Sequence, residues 1–135
     1  MRKTSILALV LFSGIVGLAG NLSAQTALKD VAHVREGIIA VGMAVELSDK
    51  CGSISPRTLR GINYLRGLQD HARGLGFSQA QIDAYVDDKS EKNRLEGIAR
   101  TRLADMGVVN GQESTYCAVG RAQISQGTAV GRLLR

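Results

Sequence analysis

Residues 27–51 read ALKDVAHVREGIIAVGMAVELSDKC, and this stretch decides the fold. Its larger apolar residues recur at intervals of three and four, which predicts an amphipathic helix from Ala27 to Lys50. The predicted buried stripe is Val31, Val34, Ile38, Val41 and Val45. Gly37 and Gly42 are poor helix formers, so we expect that they let another helix approach closely. Because the helix is unusually apolar, we place it at the centre of a bundle.

Cys51 ends this first helix, and Cys117 stands in the first turn of the last predicted helix. In an oxidising compartment, two cysteines favour a single intramolecular disulfide. A Cys51–Cys117 bond would make the first and last helices an antiparallel central pair, whose glycines would permit a close crossing. Two free thiols that act separately are the alternative.

Residues 55–76 are predicted to form the second helix. Ser55 can cap its N-terminus, Pro56 suits the first helical position, and glycines 74 and 76 end it. Its predicted buried stripe is Leu59, Ile62, Leu65 or Tyr64, Leu68, Ala72 and Leu75.

The clearest local signal lies at residues 77–82. Ser78 and Gln81 form a capping box, and Phe77 and Ile82 occupy the two positions of a hydrophobic staple. A short third helix is predicted after Ser78. Residues 88–91 repeat the capping pattern and start a fourth helix that Gly107 stops, unless residues 78–106 form one kinked helix.

The last helix is predicted at about residues 114–133, with Gly120, Gly127 and Gly131 as a small-residue face. Strand-like alternation and hairpin dipeptides are absent from the sequence. The predicted fold class is therefore all-α, a compact bundle of four to five helices stapled by one disulfide, Cys51–Cys117.

The N-terminus has the pattern of a secretory signal: Arg2 and Lys3, an apolar run over residues 6–16, and a small residue at Ala24. We expect residues 1–24 to be removed in export to the periplasm, which leaves a single α-helical domain over residues 25–135 without a transmembrane span. An uncleaved anchor is the alternative. The full chain carries a net charge of +5, and the 15 basic and 12 acidic residues after position 24 give +3. No basic run is interleaved with aromatic residues, so we expect no nucleic-acid partner.

Motifs that carry chemistry are absent. His33, His71, Ser53 and Asp70 have side chains of the kinds found in hydrolase or metal sites, but their spacing matches no known signature. The acidic residues between positions 83 and 91 lack the ligand pattern of an EF-hand. We therefore expect no catalytic, cofactor-binding or metal-binding residues, no cofactor and no enzymatic activity. A small hydrolase or metal-binding enzyme is the least favoured alternative.

Aromatic side chains often dominate protein interfaces, and this chain has few of them. Tyr64 and Tyr85, beside the arginines Arg57, Arg60 and Arg66 of the second predicted helix, form the candidate partner surface. Filling of the core is the alternative role for the two tyrosines.

Several segments resemble a known family. They are residues 27–31 (ALKDV), Cys51 with residues 53–55, residues 75–78 (LGFS) with 82 and 84–86, residues 116–121 (YCAVGR) and residues 131–135 (GRLLR). With these segments the chain resembles the DUF5333 family of small exported alphaproteobacterial proteins of uncharacterised function, over nearly all of residues 25–135. The resemblance implies no established activity and no catalytic residue.

The resemblance also implies an accessory role on the periplasmic face of respiratory membrane complexes. From the residues and the resemblance together we expect a non-enzymatic interaction protein with a protein partner, such as an accessory subunit on a membrane complex. A periplasmic stress protein or chaperone-like holdase is the alternative.

Overall fold

A computed structural model describes residues 27–135, which form five α-helices flanked by short 3-10 helices at Leu28–Asp30 and Gly131–Leu133. The α-helices are α1 (Ala32–Lys50), α2 (Thr58–Gly74), α3 (Gln79–Val86), α4 (Lys89–Asp105) and α5 (Glu113–Gln126). This part of the chain contains no β-strand, which confirms the predicted all-α bundle. Residues 1–24, predicted as a signal peptide, lie outside the described residues.

Helix α1 is the centre of the bundle and packs against α2, α4 and α5. A glycine lies at each of these contacts, and at Gly37 the approach is so close that a Cβ would overlap the Leu68 side chain. The contacts are Gly37 with Leu68 of α2, Gly42 with Ala99 of α4, and Leu47 with Gly120 of α5.

The predicted disulfide is present. Cys51 directly follows α1, Cys117 lies early in α5, and their Cα atoms are 5.1 Å apart. One helical turn away, Leu47 contacts Gly120, so α1 and α5 run antiparallel. The predicted crossing of glycines from both helices is wrong, because Gly37 and Gly42 face α2 and α4 instead.

The capping box predicted at Ser78 and Gln81 is present at the start of α3. The Ser78 hydroxyl accepts a hydrogen bond from the Gln81 amide, and the Gln81 side chain accepts one from the Ser78 amide. Asp88 caps α4 by accepting a hydrogen bond from the Glu91 amide at 3.0 Å. Residues 78–106 therefore form two helices rather than one kinked helix.

The predicted start of the second helix is wrong. Ser55 exchanges two backbone hydrogen bonds with Arg135, and Pro56 forms an isolated bridge with Leu134. These contacts hold the segment extended, so α2 begins only at Thr58.

The last helix is also shorter than predicted. It ends at Gly127, whose φ of 62° is left-handed. Gly131 then packs onto the backbone of Gln123, where any Cβ would overlap main-chain atoms. The glycines at positions 127 and 131 therefore do not share a helical face, because the chain folds back between them.

The predicted stripes of α1 and α2 are core only in part. The buried residues of α1 are Val34, Gly37, Ile39, Ala40, Met43, Ala44 and Leu47. Ile38 and Val41 are half-buried, and Val45 is exposed. Of the second predicted stripe only Leu68 and Ala72 are buried, whereas Leu59, Ile62, Leu65 and Leu75 are exposed. The buried face of α1 is shifted from the predicted stripe, because Ile39, Met43 and Leu47 fill the core while Val45 is exposed.

Candidate functional site

An open groove of about 640 Å³ runs over α1 between α2 and α4. Such a volume lies within the range of about 300–1,000 Å³ that is typical of binding pockets. Its apolar lining is supplied by four helices: Ile38, Val41 and Val45 of α1, Leu65 of α2, Val86 of α3, and Leu95 and Ala99 of α4. We refer to this feature as the α1 groove.

The α1 groove stays open because α2 and α4 both pack on α1 but have little contact with each other. The buried residues of α2, Leu68 and Ala72, lie in its C-terminal half. In the N-terminal half Tyr64 is half-buried, and Leu59, Ile62 and Leu65 are exposed. The exposed fractions are 49% for Val45, 39% for Leu65 and 59% for Val86. The walls of the groove are thus apolar surface that no other part of residues 27–135 covers.

Some of the charged residues around the groove form ion pairs, and others do not. On the α4 side, Glu96 lies 3.9 Å from both Lys92 and Arg100. On the α1 side, Glu46 and Asp49 line the same groove, and neither forms an ion pair within residues 27–135. Glu46 and Asp49 are therefore the acidic residues of the groove that have no ion-pair partner within residues 27–135, while the cations Lys92 and Arg100 pair with Glu96.

Tyr85 lies in the wall of the groove where α3 meets α4. Its hydroxyl is sealed from solvent and has no hydrogen-bond partner within residues 27–135. Burial raises the pKa of Tyr85, and the nearby charge of Glu91 raises it further. A buried hydroxyl without a well-formed hydrogen bond is costly, by about 1–3 kcal/mol, and the Glu91 carboxylate that acts on the pKa of Tyr85 is an acceptor close to it.

Glu91 is itself buried, with about 8% of its surface exposed. Arg94 donates two hydrogen bonds to its carboxylate, at 2.8 and 2.6 Å. Such bidentate pairs are strong, and the pair holds the pKa of Glu91 below its ordinary value despite the burial. The same effect lowers the pKa of Glu36, which accepts a hydrogen bond from Arg102 and so links α1 to α4.

The residues of the predicted partner surface lie in different environments. The Arg57 side chain donates to the backbone carbonyl of Leu134 at 2.8 Å, and Arg60 donates to that of Arg132. Two of the three arginines thus hold the C-terminal tail. Arg66 is exposed, and Tyr64 packs half-buried against the main core. Of the five residues, Tyr85 alone lines the α1 groove.

The apolar spacing places Val45 in the buried stripe of the first helix, so sequence reasoning misses it as a surface residue. The sequence does carry a signal for this: apolar residues, small and large, cover most of the circumference of the first helix. A helix that packs one side on a core needs a narrower apolar stripe.

The residues considered for catalysis are separated by the fold. Ser53 lies beside the disulfide, 3.3 Å from the Cys51 sulfur, at the C-terminal end of α1. His33 lies at the other end of α1, about 27 Å away for a helix that rises 1.5 Å per residue. Asp70 is paired with Arg73. A Ser–His–acid arrangement of these residues is therefore not assembled.

The acidic residues between positions 83 and 91 have structural partners. Asp88 caps α4 and Glu91 binds Arg94. In the part of the chain that the structure describes, no group of three or more His, Cys, Asp or Glu side chains is placed to hold a metal ion. No helix there has the length and apolarity to cross a membrane.

Comparison with known proteins gives one match. The model of the family of unknown function DUF5333 matches residues 26–135, which is most of the chain. No curated protein and no solved structure matches the chain.

Proposed function

The chain belongs to the DUF5333 family of unknown function, and we propose that it is a non-enzymatic interaction protein. Its α1 groove binds an amphipathic helix of a partner protein. The observation that carries this proposal is the row of exposed apolar side chains from three helices, Val45, Leu65 and Val86, around one open groove. Exposed apolar surface of this kind, rimmed by polar residues, is typical of interaction sites.

The shape of the α1 groove favours a helix as the occupant. Its floor and walls are helices, whose backbone groups are already hydrogen-bonded, so an extended strand would find no free edge to pair with. A helix can instead lay one apolar face into such a groove, with anchors spaced three and four residues apart.

The acidic residues of the groove favour a partner helix that carries basic residues. Glu46 and Asp49 line one end without an ion-pair partner in residues 27–135. A bound helix that carries Lys or Arg beside its apolar face would pair with them. Charge complementarity of this type contributes more to the association rate and to specificity than to affinity.

The location of the partner follows from the sequence. The signal-like N-terminus and the disulfide favour export, because disulfides persist in oxidising compartments. We therefore place the protein in the periplasm, where the partner is a subunit of a membrane complex whose helix is accessible from that side. In this role the protein is an accessory subunit of the complex.

Chaperone-like holding of unfolded clients is the second candidate function. Two leucines that lie outside the groove, Leu59 of α2 and Leu75 directly after it, are 78% and 55% exposed. A holdase would use such scattered apolar surface as well as the groove. Protection of a model client from aggregation by a stoichiometric excess of the protein tests this candidate, and no protection refutes it.

The main proposal is tested by capture from solubilised membranes with matched variants. Leu65→Asp places a charge in the apolar wall of the groove, near Glu46 and Asp49. Leu59→Asp makes the same change on the same helix but outside the groove. We expect a specific partner to be recovered with the wild-type protein and with Leu59→Asp. Recovery with Leu65→Asp should fall by about tenfold or more, as for loss of an interface anchor.

Equal recovery of the partner with both variants would contradict groove binding, provided that circular dichroism shows both variants to be folded. Recovery of the protein only as a free monomer in several mild detergents would count against any stable partner. A homodimer that Leu65→Asp disrupts would assign the groove to a second copy of the chain and so refute the proposed partner.

A further inference from the structure

The two histidines of the chain lie side by side at the end of the bundle opposite the disulfide. His33 is in the first turn of α1, and His71 is in the last turn of α2. Their ring centroids are 4.5 Å apart, and the ring planes are tilted by 54°. Two imidazoles this close are either a stacked aromatic pair or two ligands for one metal ion.

The packing beneath the two histidines fixes the position of both helices. One turn along from the pair, Leu68 of α2 packs onto Gly37 of α1, where a Cβ would lie 2.7 Å from the leucine methyl groups. Val34 and Ala72, which follow the two histidines in sequence, are buried in one cluster. Because these contacts hold the two backbones together, the imidazoles are brought close before any ligand binds.

Both imidazoles are available as ligands. The two side chains are exposed, and neither forms a hydrogen bond or an ion pair with another residue within 27–135. Exposed rings can turn about their χ2 angles, so a nitrogen of each ring can face a shared ion. Neutral imidazole is the most common protein ligand of transition metals.

The distance between the rings suits a cis pair of ligands. With metal–nitrogen bonds of about 2.0–2.1 Å and an angle near 90°, two bound imidazoles have centroids roughly 4.5 Å apart. A tetrahedral angle would place them roughly 5.2 Å apart at the same bond length. The observed 4.5 Å therefore agrees with the tetragonal geometry that Cu²⁺ prefers.

We propose that His33 and His71 bind one Cu²⁺ ion as cis ligands, with water in its remaining coordination positions. Cu²⁺ also binds nitrogen ligands more tightly than the other divalent first-row metals. Within residues 27–135 no group of three or more His, Cys, Asp or Glu side chains is placed to hold a metal ion, so the protein supplies two ligands in this proposal. The ion joins the start of α1 to the end of α2.

Binding of Cu²⁺ should stabilise the folded protein. The two histidines are 38 positions apart in the chain and meet only when α1 and α2 pack, so the unfolded chain lacks the paired site. An ion that binds the folded state preferentially raises the midpoint of thermal unfolding, and the rise increases with its concentration.

The test is titration of the untagged, chelator-treated protein with CuCl2, followed by calorimetry and by thermal unfolding. The variants are His33→Asn and His71→Asn, at exposed positions where both should fold. We expect one Cu²⁺ per chain for the wild type and affinity about a hundredfold lower for each variant, since the second imidazole acts at high effective concentration. Asp70→Asn, next to His71, is the control that should bind as the wild type does.

Electron paramagnetic resonance of the Cu²⁺ complex gives an independent measurement. The wild-type spectrum should show two equivalent imidazole nitrogens, and each single-histidine variant should show one. Equal Cu²⁺ affinity of the wild type and of both variants would overturn the proposal. So would an unfolding midpoint of the wild type that CuCl2 does not raise, which would leave the two rings as a stacked pair only.

Discussion

Loss of the Cys51–Cys117 disulfide is expected to lower the free energy of unfolding by about 4 kcal/mol. The two cysteines are 66 residues apart, and a cross-link that closes a loop of this length restricts the unfolded chain by about that amount. A domain of this size is typically stable by about 5–15 kcal/mol. The disulfide therefore accounts for a large part of the stability.

The change is best made in two ways. Reduction of the wild-type protein removes the bond and leaves the side chains unchanged. The double variant Cys51→Ala with Cys117→Ala removes the bond without adding a polar group, because both positions are buried and a buried hydroxyl would add its own cost. If the free energies of unfolding of the reduced protein and of the double variant agree to within about 1 kcal/mol, the loss is due to the cross-link and not to the small cavities that the alanines leave.

Urea unfolding followed by circular dichroism is the assay. Oxidised wild type should unfold at a clearly higher urea concentration than the reduced protein and the double variant. Unfolding of oxidised and reduced protein at the same urea concentration would refute the reasoning. Two reactive thiols in denatured protein that was never reduced would refute the disulfide itself.

Two further predictions concern packing and charge. Gly131→Ala should destabilise the protein by at least about 3 kcal/mol, because the added Cβ meets backbone atoms of α5 that cannot move aside. The matched control Gly67→Ala, in open space on α2, should instead stabilise it by up to about 1 kcal/mol, and urea unfolding measures both. Glu36 and Glu91 have lowered pKa values in the folded state. Their ionised carboxylates therefore make their full contribution to the free energy of unfolding above the pKa of an unfolded Glu, about 4.3. That contribution is lost as the pH falls through the pKa values of the two carboxylates in the folded state. Glu91→Gln should therefore make the free energy of unfolding fall less steeply on the acid side of a stability–pH profile. An unchanged profile would contradict the stabilising role of the Glu91–Arg94 pair.

Features that depend on local chemistry could be predicted from the sequence. The capping box at Ser78 and Gln81 requires only residues three positions apart, and it forms as predicted. The helix stop at Gly107 depends on a positive φ of 105°, which glycine adopts without strain. The disulfide followed from an even cysteine count and a predicted oxidising compartment, and it is present.

Features that depend on which helices meet could not be predicted in this way. The spacing of Ile38, Val41 and Val45 indicates that they share a face of α1, but not whether another helix covers that face. The structure covers this face only in part: Ile38 and Val41 pack half-buried against the core, whereas Val45 is exposed. The apolar pattern therefore predicts which residues share the face, but not which of them another helix covers.

Contacts made by the chain end were also beyond sequence reasoning. The hydrogen bond from the Arg57 side chain to the Leu134 carbonyl is one example, since no sequence pattern links these positions. The pairing of Ser55 with Arg135 joins residues 80 positions apart, and no local pattern marks it. The proximity of His33 and His71 is a third such case, since it arises from the antiparallel packing of α1 and α2.

The central claim is that the α1 groove binds a partner helix, and site-specific photo-crosslinking in cells tests it most directly. A photoreactive residue replaces Val45 inside the groove, and in a separate control replaces Leu59 outside it. Mass spectrometry then identifies the joined peptide. We predict a crosslink from position 45, absent from position 59, to an amphipathic segment that carries Lys or Arg. The same products from both positions, or none from position 45, would contradict the account.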